Sequence, residues 1–212
     1  MTASALLSLV QWMSPAFPTG AFAYSHGLEQ AISAGEVRDE VGLRLWLSDI
    51  LSHGAGWNDA VLLARGLAGQ DADDLDATAR ALAASAERLR ETLDQGTAFA
   101  RAQAQMMGGE DPEEIALPVA VAQAARALDL PREEIIAVFL HGFASNLVSC
   151  AVRFVPLGQA QGQRVLAALH DDISRISARA AHAGLDDLAG AAFRADLGSM
   201  LHETLDVRIF KT

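Results

Sequence analysis

Five consecutive residues, Ala23-Tyr24-Ser25-His26-Gly27, carry the groups best suited to covalent chemistry in this sequence. They nearly match the nucleophile elbow of serine hydrolases, which needs a strand before the serine, a helix after it, and a separate acid and histidine. Here a Pro/Gly loop precedes the serine and no parallel-sheet pattern occurs anywhere, so Ser25 reads as a cap for the following helix, with Leu28 packing inward. A serine hydrolase using Ser25 and His26 is the alternative. His26 and Glu29 stand three apart and share a helical face, but two ligands do not make a metal site, and a surface or capping interaction is expected. The six histidines are scattered, and the single cysteine, Cys150, cannot form a CxxC pair. Within its apolar stretch Cys150 reads as a small buried hydrophobe. No Gly-rich loop ends in Gly-Lys-Ser/Thr, so the chain should not hydrolyse nucleotides by itself. The expectation is no catalytic residue, no metal site and no cofactor.

The elements around these residues read as helices. Leu6, Val10 and Met13 share one side of a helix over 4–13, which the Pro15–Pro18 run ends. Helices follow over Ser25–Ala34, Asp39–His53 and roughly 58–68, punctuated by Gly35 and Gly54-Ala55-Gly56. Asp71 to Asp76 places carboxylates at a helix start, and the segment continues to Gly108-Gly109 with a kink expected near Ser85. Asp111-Pro112-Glu113-Glu114 has the composition of a helix opening, and Pro118 and Pro131 start two more. After Pro156 one helical stretch should reach Ala183, and a last amphipathic helix carries Leu188, Phe193, Leu197 and Leu201. Residues 206–212 lack a cap or a period and read as a mobile tail. These signals give an all-α, single-domain bundle of roughly ten helices spanning 1–212.

Lys and Arg number 16 against 27 Asp and Glu, a net charge of −11. That sign repels phosphate backbones and argues against nucleic acid. It suits a basic protein partner, or simply keeps a 51% hydrophobic chain in solution. Two segments imitate membrane signals. The apolar N-terminus has no Lys or Arg before Arg38, so the basic start of an export signal is missing. Ile135 to Val152 is long enough to span a bilayer, but its His141, Ser145, Asn146 and Ser149 are costly in lipid, and a buried core helix is expected. The resulting expectation is a cytoplasmic protein without a membrane partner.

Three blocks carry a resemblance. Ser14 to Glu29, with Pro18, Gly20, Ser25, Gly27 and Glu29, resembles the N-terminal signature of the urease accessory protein F family. Asn146 to Gln159, with Arg153, Pro156 and Gly158, continues through Gly162-Gln163 and resembles its central signature. His202-Glu203-Thr204 and Arg208-Ile209-Phe210-Lys211-Thr212 resemble its C-terminal signature. The blocks stand in family order over essentially the whole chain. The resemblance implies an all-α homodimer that serves as a non-catalytic scaffold in urease maturation. It implies binding to accessory protein D (H in some species), which contacts urease, and to the nickel-carrying GTPase, accessory protein G, whose nucleotide turnover it helps couple to nickel insertion.

In the tail, Ile209 stands for the family's common leucine and Lys211-Thr212 for Arg-Ser; lysine lacks the bidentate fork of arginine. Residues 203–212 are the expected partner-binding segment, with Ile209-Phe210 an apolar anchor between the cations Arg208 and Lys211. The alternative is a tail packed on its own domain. For Phe17, Phe22 and Tyr24, core packing and partner contact stand level. Arg153 should neutralise a helix C-terminus or pair with a buried carboxylate. Gly158 and Gly162 permit either a close helix approach or a polar turn facing the GTPase.

Overall fold

The computed structural model describes residues 3–155 and 157–212. Among them are eleven α-helices and two short 3-10 turns, and no strand. The helices are α1 (Ala3–Trp12), α2 (Leu28–Ser33), α3 (Glu40–His53), α4 (Ala55–Leu67), α5 (Ala72–Ala81), α6 (Ala86–Met107), α7 (Leu117–Ala125), α8 (Arg132–Phe154), α9 (Gln159–Ala168), α10 (His170–Ala180) and α11 (Phe193–His202).

Several starts follow from local capping. The Asp39 carboxylate accepts the Gly42 N–H at 2.8 Å, and Asp71 accepts from Asp73 and Asp74. Ser85 does the same for Arg88 at 3.0 Å. Each supplies an acceptor to an amide with no partner inside its helix. At Ser85 the expected kink is a full break, with α5 and α6 as separate helices.

The core forms around α8. Ile135, Ile136, Phe139, Leu140, Ala144, Leu147, Val148 and Ala151 are buried on it, and it packs against α10, α9 and α4. By length and composition α8 could cross a membrane, yet half of its most apolar window is buried inside the protein. α4, almost wholly buried, joins α3, α7 and α8 into the same core.

Local reading fails in four places. Residues 109–116 form no helix. The Ile115 and Leu117 amides reach the Thr97 and Thr92 hydroxyls of α6 at 3.3 Å each, and the Ala116 amide reaches Asp76 at 2.6 Å. Glu114 pairs with Arg80 at 3.0 Å instead of folding back on a cap. Gly96 permits this crossing: a Cβ there would lie 2.1 Å from the Ile115 oxygen. Second, the stretch expected to run to Ala183 breaks at Leu169, which is fully buried.

Third, the last helix starts at Phe193 and leaves Leu188 outside it. It buries its small residues, Ala195, Gly198 and Ser199, and turns Phe193, Leu197, Met200 and Leu201 outward at 74, 54, 47 and 45% exposure. Close approach to α2 dictates the choice. A Cβ on Gly27, whose φ is +74°, would lie 2.7 Å from the Ser199 nitrogen, so only small residues fit between the two backbones. Fourth, the end of the chain is docked on its own domain.

Candidate partner-docking site

The three signature blocks meet at one end of the bundle. Lys211 N–H donates to the Ala23 carbonyl at 2.7 Å, and Ser25 N–H donates to the Thr212 backbone oxygen at 2.9 Å. The tail thus lies extended beside residues 23–25. The Glu29 carboxylate accepts the Ile209 and Phe210 amides, both at 2.9 Å. Arg208 donates to Glu87 at 2.7 Å. Residues 208–212, expected as a mobile tail, are docked instead, because Glu29 on α2 accepts two of their amides and Glu87 on α6 pairs with the Arg208 side chain.

Phe210 is buried, its ring 5.7 Å from Phe154 and under the Arg153 guanidinium at 5.0 Å. Arg153 is exposed and donates to the Phe22 and Ser149 carbonyls, both at 3.2 Å. It sits in the last turn of α8, where a cation opposes the helix dipole, and has carbonyl partners, not a buried carboxylate. Asn146 donates to the Ala21 and Tyr24 carbonyls at 2.9 and 3.2 Å, fastening the N-terminal loop to the same helix.

Phe17, Phe22 and Tyr24 separate. Phe17 is core, its ring 5.4 Å from Phe99. Tyr24 is buried with its hydroxyl donating to Asp94 at 2.7 Å, and the Lys211 ammonium lies 5.4 Å from its ring centre. Burial and the Asp94 carboxylate push its phenol well above the ordinary range. Phe22 is 66% exposed. Ile209 alternates with Phe210 along the tail and is 69% exposed. Of the two apolar tail residues, Phe210 anchors inward and Ile209 faces outward.

Ser25 is fully buried. Its hydroxyl donates to the Thr212 backbone oxygen and accepts the Glu29 N–H at 3.2 Å. It therefore reaches the first turn of α2, but the expected cap position is taken by Gly27 and the helix begins at Leu28, not at Ser25. His26, at the unusual φ of +59°, is buried beside Glu91, with no strand before it. His26 and Glu29 do not meet as a ligand pair. Glu29 faces the tail and His202, whereas His26 faces an ion cluster.

That cluster went unread in the sequence. Arg88 reaches Asp59 at 3.0 Å and Glu91 at 3.7 Å, Glu91 lies 3.4 Å from His26, and all four side chains are buried. Thr212 donates from its hydroxyl to Glu91 at 3.2 Å and accepts the His26 N–H at 3.1 Å. Burial pushes the Asp59 carboxyl upward against the pull of Arg88. Glu91 is also raised by burial, but the Arg88 charge, with His26 and Thr212 adding, outweighs it and leaves the carboxyl at about 2. The one legible hint was the four-residue spacing Glu87–Glu91–Gln95, which puts three polar side chains on one face of α6.

The central signature closes the other side. Gly162 is buried on α9, where a Cβ would lie 2.7 Å from Val152 on α8; this is a close helix approach. Gly158 caps α9, its N–H received by the Gln161 side chain at 2.7 Å. Gln159 and Gln163, exposed on α9, line a cavity of about 290 Å³ with Phe22, Gln95 and Asn146. Pro156 falls outside the described residues. Pro18 is exposed in the loop that ends at Gly20, whose φ is +72°. Glu203 accepts the Ala86 amide at 2.9 Å, placing a carboxylate at the positive end of α6.

A family model described as UreF matches residues 37–170. Over 209 residues, 99% of both chains, the sequence is 61% identical to the urease accessory protein UreF of Cereibacter sphaeroides strain ATCC 17029. It is 48% identical to the protein of that name from Roseobacter denitrificans, over all of this chain and 96% of the relative. Identity to the one from Jannaschia sp. strain CCS1 is 49%, over 98% of this chain and 94% of the relative. With near-complete coverage in both directions, the chain belongs to the UreF family of urease accessory proteins.

Proposed function

We propose that the protein is a non-catalytic, cytoplasmic scaffold of urease maturation. In this reading it works as a homodimer that links accessory protein D (H) to the nickel-carrying GTPase, accessory protein G, and helps couple GTP hydrolysis to nickel insertion into urease. One observation supports it most: the outer face of α11 presents Phe193, Leu197, Met200 and Leu201 to solvent, followed along the chain by exposed Val207 and Ile209. A row of large apolar side chains without an internal partner is the mark of an interaction surface. Family membership supplies the setting, and accessory protein D is the partner proposed for this face. The buried, fully engaged Ser25 favours the scaffold over a hydrolase.

The test is co-purification with accessory protein D after Phe193→Asp and Ile209→Asp, singly and together. Both side chains are exposed, so helicity by circular dichroism should hold while capture falls at least tenfold, about 1.4 kcal/mol or more. Undiminished capture by the double variant would remove α11 and the tail from the interface. Light scattering should give about twice the 22.4 kDa chain mass, and a persistent monomer would remove the two-fold platform.

A further inference from the structure

The cavity of about 290 Å³ between α6, α8, α9 and the N-terminal loop is walled by five aromatic rings, those of Trp12, Phe22, Phe99, Phe139 and Phe143. Glu91 and Gln95, one turn apart on α6 and each more than nine-tenths buried, also line it. No Lys, Arg or His does, so its one charged lining group is a carboxylate. Hydrogen bonds fix which ends of the lining amides are left over. Gln95 Nε2 donates to Glu91 Oε1 at 3.2 Å, and a carboxylate only accepts, so the Gln95 oxygen is the end without a protein partner. Asn146 commits its Nδ2 to the Ala21 and Tyr24 carbonyls, which leaves its oxygen in the same position. Among the described residues Glu91 Oε1 has Gln95 as its one hydrogen-bond partner, while His26, Arg88 and Thr212 all meet Oε2. Three oxygens with accepting capacity thus belong to one aromatic-walled space.

We infer that this cavity binds a small organic cation, a guanidinium or ammonium head on a short apolar stem. Aromatic faces attract such a head through their quadrupoles, and carboxylate and amide oxygens take its N–H groups. The Glu91 carboxyl, at about 2, is ionised at neutral pH. Arg88 beside it is shared with Asp59, so one guanidinium faces two buried carboxylates. An anion in the same space would meet the Glu91 charge with no lining cation to answer it. The apolar walls suit the stem, and the volume stands near the lower end for small-molecule sites. This site does not depend on the scaffold reading.

Titration of the full chain with n-butylguanidinium and n-butylammonium chloride tests it, followed by calorimetry and by the side-chain amide NMR signals of Gln95 and Asn146. n-Butanol and sodium butyrate are the neutral and anionic references. The cations should bind one per chain, at least about tenfold more tightly than either reference, and should shift both amide signals. Gln163 lines the cavity and is exposed, so its charge can be changed without touching the core. Gln163→Lys should weaken cation binding about fivefold, and Gln163→Glu should hold or tighten it. Gln123→Lys, exposed on α7 and outside the cavity, should change nothing. Phe22→Ala removes an exposed ring and should weaken binding about threefold. Circular dichroism should show every variant folded. Capture of accessory protein D with and without saturating n-butylguanidinium separates two sources of the cation. Lost capture places an Arg or Lys side chain of the partner in the cavity, and intact capture a free amine. References that bind as tightly as the cations, or an unchanged affinity in Gln163→Lys, would overturn the assignment.

Discussion

His202 Nε2 lies 3.1 Å from a Glu29 carboxylate oxygen, across 173 residues of chain. The ring is wholly buried, and its Nδ1 faces Glu87 at 2.7 Å. Glu29 holds the Ile209 and Phe210 amides and Glu87 holds Arg208, so one imidazole braces the two carboxylates that hold the tail. The end of α11 and the end of the chain are thereby coupled to α2 and α6.

His202→Ala should cost about 3 kcal/mol in urea unfolding, since it leaves the buried Glu29 carboxylate and the half-buried Glu87 facing an empty site. Glu29→Gln offers one oxygen to two amides that now share a carboxylate. Hydrogen exchange at Ile209 and Phe210 should speed up at least tenfold, with exchange in α8 unchanged. Equal protection in the variant would show that Glu29 does not hold the tail.

Gly96→Ala puts a Cβ against backbone, which cannot rotate aside as a side chain can. The prediction is a loss of about 2–4 kcal/mol, beyond the roughly 1 kcal/mol expected at Gly108, where nothing lies within 4 Å of a Cβ. At Gly108 the φ of +73° is the only obstacle. Comparable urea midpoints for the two variants would refute the close crossing of residues 115–117 over α6.

Cys150 is buried, and its thiol is pushed up to about 12 by burial, against a lowering by Arg153. The thiolate is the reactive form, so a disulfide reagent at pH 8 should leave the folded chain unmodified over the time in which the urea-unfolded chain reacts completely. Rapid labelling of the folded protein would contradict the tight seat beneath the Tyr24 carbonyl, 3.4 Å from the sulfur.

Glu91 sits at about 2 in the folded protein against an ordinary 4.5. A depressed folded value means stability that is present above pH 4.5 and lost as pH falls toward 2. Glu91→Gln should therefore destabilise by about 2–3 kcal/mol at pH 7. The gap to the native chain should shrink steadily in denaturant titrations below pH 4.5. Asp59, shifted upward by burial, contributes with the opposite slope and is untouched by this variant. A penalty as large at pH 3 as at pH 7 would mean the ion cluster is not its origin.

The helical class, the helix starts at Asp39 and Asp71, the long core helix around Ile135 to Val152 and the three signature blocks could all be read from residues close in sequence. Such signals are local, because a cap acts on amides two or three positions away and an apolar stripe repeats with each turn. The fold decided what depends on remote partners. Residues 109–116 stay out of a helix because Thr97, Asp76 and Thr92 take the amides of Ile115, Ala116 and Leu117. The tail is docked because Glu29, Ala23 and Ser25 wait about 180 residues upstream. A period shows that α11 has two faces, but only the narrow gap to Gly27 selects the small-residue face for burial and leaves Phe193 and Leu197 for something outside the chain.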